Sequence, residues 1–380
     1  MSEPRRKPKL SSEFLPDDVV FDILTRFPVK SLIRFRCVSK SYNSTMTSPI
    51  FITKHLNLNK SKSLPNHNNG YLLYPIEPIS DRLFCAVVCN SDRTLTEISR
   101  FQIPFPHVSM EAFCNGLFCF FSSADNTIYL WNPSIQKSKM LATTAPTFKT
   151  RYPLFNHGLA YHSQNNDFKI LRIVCYNEWL SGEEKVLPPE AAVYTLSTDS
   201  WRRVVIPVGS LTRSIHHIQE NPFIFLNGTL HCIAYTLKRC FILCFDVSDE
   251  RFREIMLPNS FRGFSLSSHI FERLAVFKGS LAVVAFGKGL DEVSNICHIC
   301  VMREYGVAES WTKKRVPINS VKNFYGCTDN GELLIETQDG RVVSFDPDSL
   351  NENRLGIRSP GWLRYTTDFM ESLVLVDGVN

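Results

Sequence analysis

The chain has 380 residues, of which 44% are hydrophobic, 21% charged and 12% aromatic, an ordinary globular balance that excludes wholesale disorder and, by length, fits about two domains. Lys and Arg number 42 against 37 Asp and Glu, a net charge of +5 that is too mild to require nucleic acid as a partner. No apolar run approaches the roughly 18 residues of a membrane span, and the charged start Met1–Pro8 is no secretory signal, so the chain reads as soluble, cytoplasmic and/or nuclear.

Residues 1–13 read as a disordered basic tail whose Arg5-Arg6-Lys7-Pro8-Lys9 also fits a nuclear-import signal. Residues 14–58 predict three short helices. Pro16 with Asp17 and Asp18 suits a helix start, because proline is tolerated in the first turn and carboxylates favour the positive end of the dipole. Val19, Val20, Ile23, Leu24 and Phe27 then recur at helical spacing up to Pro28. A second helix is expected from Lys30-Ser31 through Phe35, and a third over about Ser39–Met46, with Pro49 stopping the run. Such a segment of some 45 residues carries more apolar side chains than three short helices can hide, so the surplus packs on the rest of the chain or on another protein. Residues 59–69 are polar and turn-rich, a linker.

From Gly70 the apolar period changes to two. A unit recurs: a turn ending in Gly, two apolar strands, then an aromatic leading a strand that ends in Pro. Asn227-Gly228-Thr229-Leu230-His231-Cys232, Leu243-Cys244-Phe245-Asp246 and Phe252-Arg253-Glu254-Ile255-Met256-Leu257-Pro258 make one copy. Opening glycines at 70, 116, 158, 228, 279 and 331 give intervals of 46, 42, 70, 51 and 52. That period is the spacing of β-propeller blades. The expected architecture is therefore mainly β: a small N-terminal helical domain followed by a propeller-like domain of about six blades over 70–380. The long interval is assigned to a surface loop insertion at Asn177–Glu190, and Ser372–Val376 to a strand sealing the ring.

The residues from Leu15-Pro16-Asp17-Asp18 to Ile23-Leu24, and from Phe27-Pro28-Val29-Lys30-Ser31-Leu32 to Cys37-Val38-Ser39-Lys40, closely resemble an F-box. Leu130-Trp131-Asn132-Pro133-Ser134, Val193 to Trp201 and Met302 to Trp311 resemble the F-box-associated, kelch-like region of plant F-box proteins. Two departures stand: Tyr42 occupies a position usually held by Trp, and no Gly-Gly pair carries the strict kelch signature. The resemblance implies the substrate-recognition subunit of a Skp–cullin–F-box ubiquitin ligase. Its F-box would dock on a Skp-type adaptor, and through it cullin, while the propeller binds an unidentified target protein. Leu15, Pro16, Ile23, Leu24, Leu32 and Val38 are the expected adaptor contacts, with internal packing as the competing role of each. The competing functions are a propeller glycan-binding module or hydrolase, and an F-box scaffold without ubiquitin chemistry.

The chain itself offers little catalytic chemistry, and neither cofactor nor metal is expected. Cys37, Cys114, Cys119, Cys175, Cys232, Cys244 and Cys300 sit in apolar runs, as free thiols do. Cys297 and Cys300 are three apart, which on a strand sends the sulfurs to opposite faces, while Cys240 and Cys244 share a face but stand about 13 Å apart. Gly263-Phe264-Ser265-Leu266-Ser267 lacks the last Gly of a nucleophile elbow, Gly287-Lys288-Gly289 is too short for a phosphate loop, and Asp346-Pro347-Asp348 fits a turn rather than a calcium loop. His216-His217 reads as a solvated loop. Trp179, Arg202, Arg203 and Lys313–Arg315 are either near a binding face or on a solvated strand edge.

Overall fold

Four helices open the chain in the computed structural model, which describes residues 15–62, 70–73, 84–91, 94–141, 153–180, 183–206, 215–219, 223–236, 239–258, 271–287, 296–318, 321–358 and 366–375. They are α1 (Asp17–Leu24), α2 (Val29–Arg36), α3 (Lys40–Thr47) and α4 (Pro49–Lys62). The fourth was not expected, and it begins at the proline that was to end the run. Proline lacks an N–H that the first helical turn would leave unpaired in any case. Ser48 caps the turn, its Oγ accepting the Phe51 N–H at 3.3 Å. The helix continues to Lys62, so the first four residues of the expected linker are helical; 63–69 and the basic tail lie outside the described residues.

Strands follow in chain order. The first three are β1 (Gly70–Leu73), β2 (Phe84–Ser91) and β3 (Thr94–Gln102). Next come β4 (Ser109–Cys114), β5 (Leu117–Ser122), β6 (Thr127–Asn132) and β7 (Lys137–Leu141). A third group is β8 (Pro153–His162), β9 (Asp167–Leu180), β10 (Glu183–Thr195) and β11 (Ser200–Val204). The fourth comprises β12 (Ile215–Ile218), β13 (Ile224–Leu226), β14 (Thr229–Thr236), β15 (Cys240–Asp246) and β16 (Phe252–Ile255). Then come β17 (Phe271–Phe277), β18 (Ser280–Gly287), β19 (Ile296–Met302) and β20 (Trp311–Pro317). The last are β21 (Val321–Cys327), β22 (Leu333–Thr337), β23 (Arg341–Phe345), β24 (Glu352–Arg358) and β25 (Thr366–Phe369).

These strands form antiparallel sheets, and five of the sheets are continuous stretches of chain: β4–β7, β8–β11, β12–β16, β17–β20 and β21–β24. The first sheet instead joins distant parts of the sequence in the order β25-β1-β2-β3, which makes β4–β7 the second sheet and β21–β24 the sixth. From the β4–β7 sheet to the β21–β24 sheet, neighbours stack face to face on apolar clusters. Leu171, Val193, Leu230 and Phe245 join the third sheet to the fourth; Ile233, Cys244, Val283 and Cys300 join the fourth to the fifth; Val284, Cys297, Leu333 and Val343 join the fifth to the sixth stretch. First strands of neighbouring sheets meet as β4 with β8, β17 with β21 and β21 with β25, β13 of the β12–β16 sheet meets β8 and β17, and β24 lies against β3. This is a β-propeller: the sheets radiate around the short inner strands.

The hairpins explain the repeat. Asn115-Gly116, Asn227-Gly228 and Lys278-Gly279 each sit alone between paired residues, as in Cys114↔Leu117, and both residues of every pair have positive φ. Two-residue loops of this kind match the twist of the flanking strands, and glycine adopts the second position without strain. The repeat glycine therefore opens the second strand of a sheet, not the first.

Two of the counted glycines do other work. Gly158 lies inside β8, where a Cβ would come within 2.9 Å of the Phe223 ring; the turn of that sheet is at 163–166. Gly70 begins β1, itself the second strand of its sheet.

Three more expectations are corrected. The stretch Asn177–Glu190 is not a loop: β9 and β10 run on as paired strands from Thr195↔Lys169 to Glu183↔Leu180, with a bulge between Leu187 and Glu190. The acidic, Pro-bearing sequence lacks the apolar alternation that marks the other strands, yet its backbone pairs in register. The ring is sealed by β25, pairing Gly70↔Phe369 through Leu73↔Thr366, and not by 372–375; Val376 lies outside the described residues. Finally, His216 and His217 are half-buried in strand β12, and His217 stacks near Tyr235 at 5.6 Å.

Candidate functional site: the exposed helical surface

The helices divide their apolar residues between two faces. Pro16 and Pro28 occupy the caps of α1 and α2 without a side-chain hydrogen bond, whereas Ser39 caps α3 by accepting the Tyr42 N–H at 3.0 Å. Inside, Leu24, Val29, Leu32, Met46 and Phe51 form a closed cluster. Phe21 meets Phe51 edge-on at 5.2 Å, and Phe27 meets Phe35 at 5.5 Å, geometries that favour ring quadrupoles.

Of the six residues expected at a protein contact, four reach the surface. Leu15 is 57% exposed, Ile23 42% and Val38 69%, and Pro16 is also exposed. Leu24 and Leu32 are buried at 6% and 0%, so their side chains build the internal core.

Sequence reasoning left Val19 and Phe27 out of that set, yet they are 39% and 36% exposed. Part of the signal was present: Val19 and Ile23 are four apart on one face of α1, and Leu15 and Phe27 flank the two ends of that helix. Contiguous exposed apolar surface is a feature of protein-docking sites.

Its polar margin is defined as well. Lys54 of α4 pairs with Asp22, and that hydrogen bond holds the Asp22 carboxyl below its ordinary range. Arg36 Nε donates to Asn43 Oδ1 at 2.8 Å. Tyr42 is half-buried and packs inward on the helical core, so the smaller aromatic at this position serves the fold. Cys37, expected in an apolar interior, is exposed beside Val38.

Helix α4 connects this domain to the propeller. Phe51 belongs to the helical core, while Leu56 lies in the cluster between the second and third sheets. His55 Nε2 donates to the Phe27 carbonyl at 3.1 Å while its Nδ1 accepts from Asn59 at 3.3 Å. Lys60 Nζ stands 3.7 Å from the centre of the Tyr161 ring, a cation–π contact.

The remaining candidates resolve into structure. Cys297 faces the sixth-stretch sheet and Cys300 the fourth, so the two sulfurs point oppositely. Among the described residues no group of three or more His, Cys, Asp or Glu side chains is placed to hold a metal ion. Asp346 makes a turn, its carboxylate accepting from Asp348 N at 2.8 Å and Ser349 Oγ at 2.7 Å. The Gly263–Ser267 segment and Lys288-Gly289 lie outside the described residues.

Arg202, Arg203 and Lys313–Arg315 sit on the outermost strands β11 and β20, and the Trp179 side chain lies outside the described residues. Arg202 pairs with Glu250 of the neighbouring sheet, which also takes Lys169 at 2.8 Å. Charged side chains along an edge strand also prevent pairing with other chains.

With this geometry in place, comparison with known proteins is direct. Residues 13–54 match the F-box domain, and residues 82–365 match the F-box associated beta propeller domain. The Arabidopsis thaliana F-box protein At3g07870 is 27% identical over 384 residues, covering 88% of this chain and 85% of that protein. The F-box/kelch-repeat protein At3g23880 of the same plant is 26% identical over 320 residues, covering 82% of each.

Proposed function

The chain belongs to the family that joins an F-box to an F-box-associated β-propeller, and from that premise we propose that it is the target-recognition subunit of a Skp–cullin–F-box ubiquitin ligase. The observation that carries this reading is the set of exposed apolar residues Leu15, Val19, Ile23, Phe27 and Val38 in and beside the first two helices. Docked on a Skp-type adaptor, these groups would leave water, at about 25 cal/mol for each Å² of apolar surface buried. Leu24 and Leu32 support the contact from beneath by holding the exposed groups in place.

In this reading each sheet is a blade, and the propeller holds a target protein while cullin, reached through the adaptor, brings activated ubiquitin. The chain supplies no reacting group. It raises the effective concentration of target near the ubiquitin carrier to the order of millimolar, as tethering by short connections does. The turns at 163–166 and 196–199 line a groove with α4, Ile135 of the turn at 133–136 packs on the helical core, and the turn at 115–116 lies against Met370 and Ser372, so these turns share the face that carries the helices. The opposite face of the ring is therefore the one assigned to the target. Cytoplasm or nucleus is the compartment such a role requires.

Co-expression with a plant Skp-type adaptor tests the reading. A stoichiometric complex is expected for the natural chain. It should be lost in the triple variant Leu15→Ala, Ile23→Asp, Val38→Asp at unchanged thermal midpoint. Leu24→Asp is unsuitable for this purpose, since a buried carboxylate would unfold the helices. Failure of the natural chain to bind any of several adaptors would refute the proposal.

A further inference from the structure

Strand β25 closes the ring, and after Met370 the chain runs between the helices and the propeller. Its contacts alternate between the two. Glu371 Oε2 accepts the Val29 N–H at 2.9 Å, capping α2 at the end where the helix dipole favours an anion. Helix α2 has no side-chain cap of its own, because Pro28 occupies that position. The Glu371 carbonyl accepts from Asn59 Nδ2 of α4 at 3.2 Å. Leu373, 1% exposed, completes the helical core with Leu24, Val29, Leu32, Met46 and Phe51.

Toward the propeller, Val374 and Leu375 enter the cluster between the second and third sheets. Asn132, fully buried at the end of β6, donates from Nδ2 to two carbonyls, Ser372 at 2.9 Å and Val374 at 2.8 Å. Gly116 makes room for this path: a Cβ there would stand 2.5 Å from Ser372 Cβ and 2.6 Å from the Met370 oxygen. On the other side of α4, Ile50, Thr53 and Leu58 face Asn165–Asp167 and Ser197 across a groove of about 750 Å³.

We propose that Glu371–Leu375 is a strap that positions the helical domain on the propeller and completes its core, so that the docking surface is ordered only once β25 has closed the ring. Val29 and its cap are 342 residues apart in sequence. A domain of some 45 residues is marginal by itself, and here one of its core side chains comes from beyond the last propeller strand. Ring opening would withdraw that side chain and the α2 cap together. The coupling holds whatever docks on the helices; only its consequence for ubiquitin transfer rests on the reading above.

Hydrogen exchange on the full chain tests the strap, comparing the natural protein with Leu373→Ala, Glu371→Gln and a chain ended after Met370. Amides of α1–α3 are expected to exchange at least about tenfold faster in Leu373→Ala and in the shortened chain. Those of β14 and β18, remote from the strap, should stay within about twofold. Glu371→Gln should act only on the first turn of α2. Protection of α1–α3 within about twofold of the natural chain in both Leu373→Ala and the shortened chain would overturn the proposal. If the shortened chain loses protection everywhere, Leu373→Ala decides, and a uniform loss there too would overturn a local coupling. Adaptor binding is scored separately by co-purification, so its absence would refute the docking reading and leave the exchange result standing.

Discussion

Replacing Asn132 isolates one link between the two domains. Its Nδ2 donates to the Ser372 and Val374 carbonyls, and its Oδ1 accepts the Ser134 N–H at 2.9 Å, all in a site closed to solvent. Asn132→Ala would leave two buried carbonyls unpaired. A buried polar group stripped of its partner costs about 1–3 kcal/mol, so the pair amounts to roughly 2–4 kcal/mol once partial relaxation is allowed.

Unfolding entropy of about 2.1 cal/mol/K per residue gives about 0.8 kcal/mol/K over the chain, and the thermal midpoint should fall by roughly 3–5 °C. Asn132→Asp is the sharper comparison. A carboxylate still accepts from Ser134 but presents lone pairs to both carbonyls, so its midpoint should fall at least as far as that of Asn132→Ala. Differential scanning calorimetry at neutral pH measures both. An Asn132→Asp midpoint within about 1 °C of the natural chain would show that donation to the strap is not what the residue does.

Two other outcomes follow from burial. The His231 imidazole, completely enclosed, contacts the Ile224 carbonyl through Nδ1 at 3.1 Å and the Tyr305 hydroxyl through Nε2 at 2.6 Å. Burial lowers its pKa from 6.5 to about 4. The unfolded chain therefore binds the proton first, so this group's stabilisation is full above about pH 6.5 and lost as pH falls toward 4, about 3 kcal/mol in all. Urea titrations across that range should show the loss in the natural chain and a shallower slope in His231→Gln; equal slopes would refute the assignment.

Alkylation of the native protein should reach Cys37 first among the described cysteines, because Cys114, Cys175 and Cys244 are buried and their thiols pushed up to about 12. Mass spectrometry of brief iodoacetamide treatment reads the order. Labelling of Cys114 or Cys175 ahead of Cys37 would contradict it.

The amino-acid sequence by itself determined the local elements and their repetition. Pro16 with Asp17 and Asp18 marked the start of α1, Pro28 marked the break before α2, and the recurring glycines at 116, 228 and 279 marked hairpins whose second turn position glycine adopts without strain. It also contained the surplus of apolar groups on the helices, and the motif around Asn132. Where it misled, the reason was context. Pro49 starts a helix or stops one with equal chemistry, and Ser48 decides which. The Asn177–Glu190 stretch carries acidic residues and prolines in place of alternation, yet its backbone pairs as β9 and β10.

What only the tertiary structure decided is which apolar residues face outward and what closes the remaining core. Ile23 and Leu24 are neighbours of equal hydrophobicity, yet one is exposed and the other buried, since a helix turns 100° per residue and its partners choose the face. No local pattern ties Leu373 to Leu32, or Glu371 to Val29. The pairing of β25 with β1 brings the following residues to the helices, and long-range pairing of that kind leaves no periodic trace in sequence.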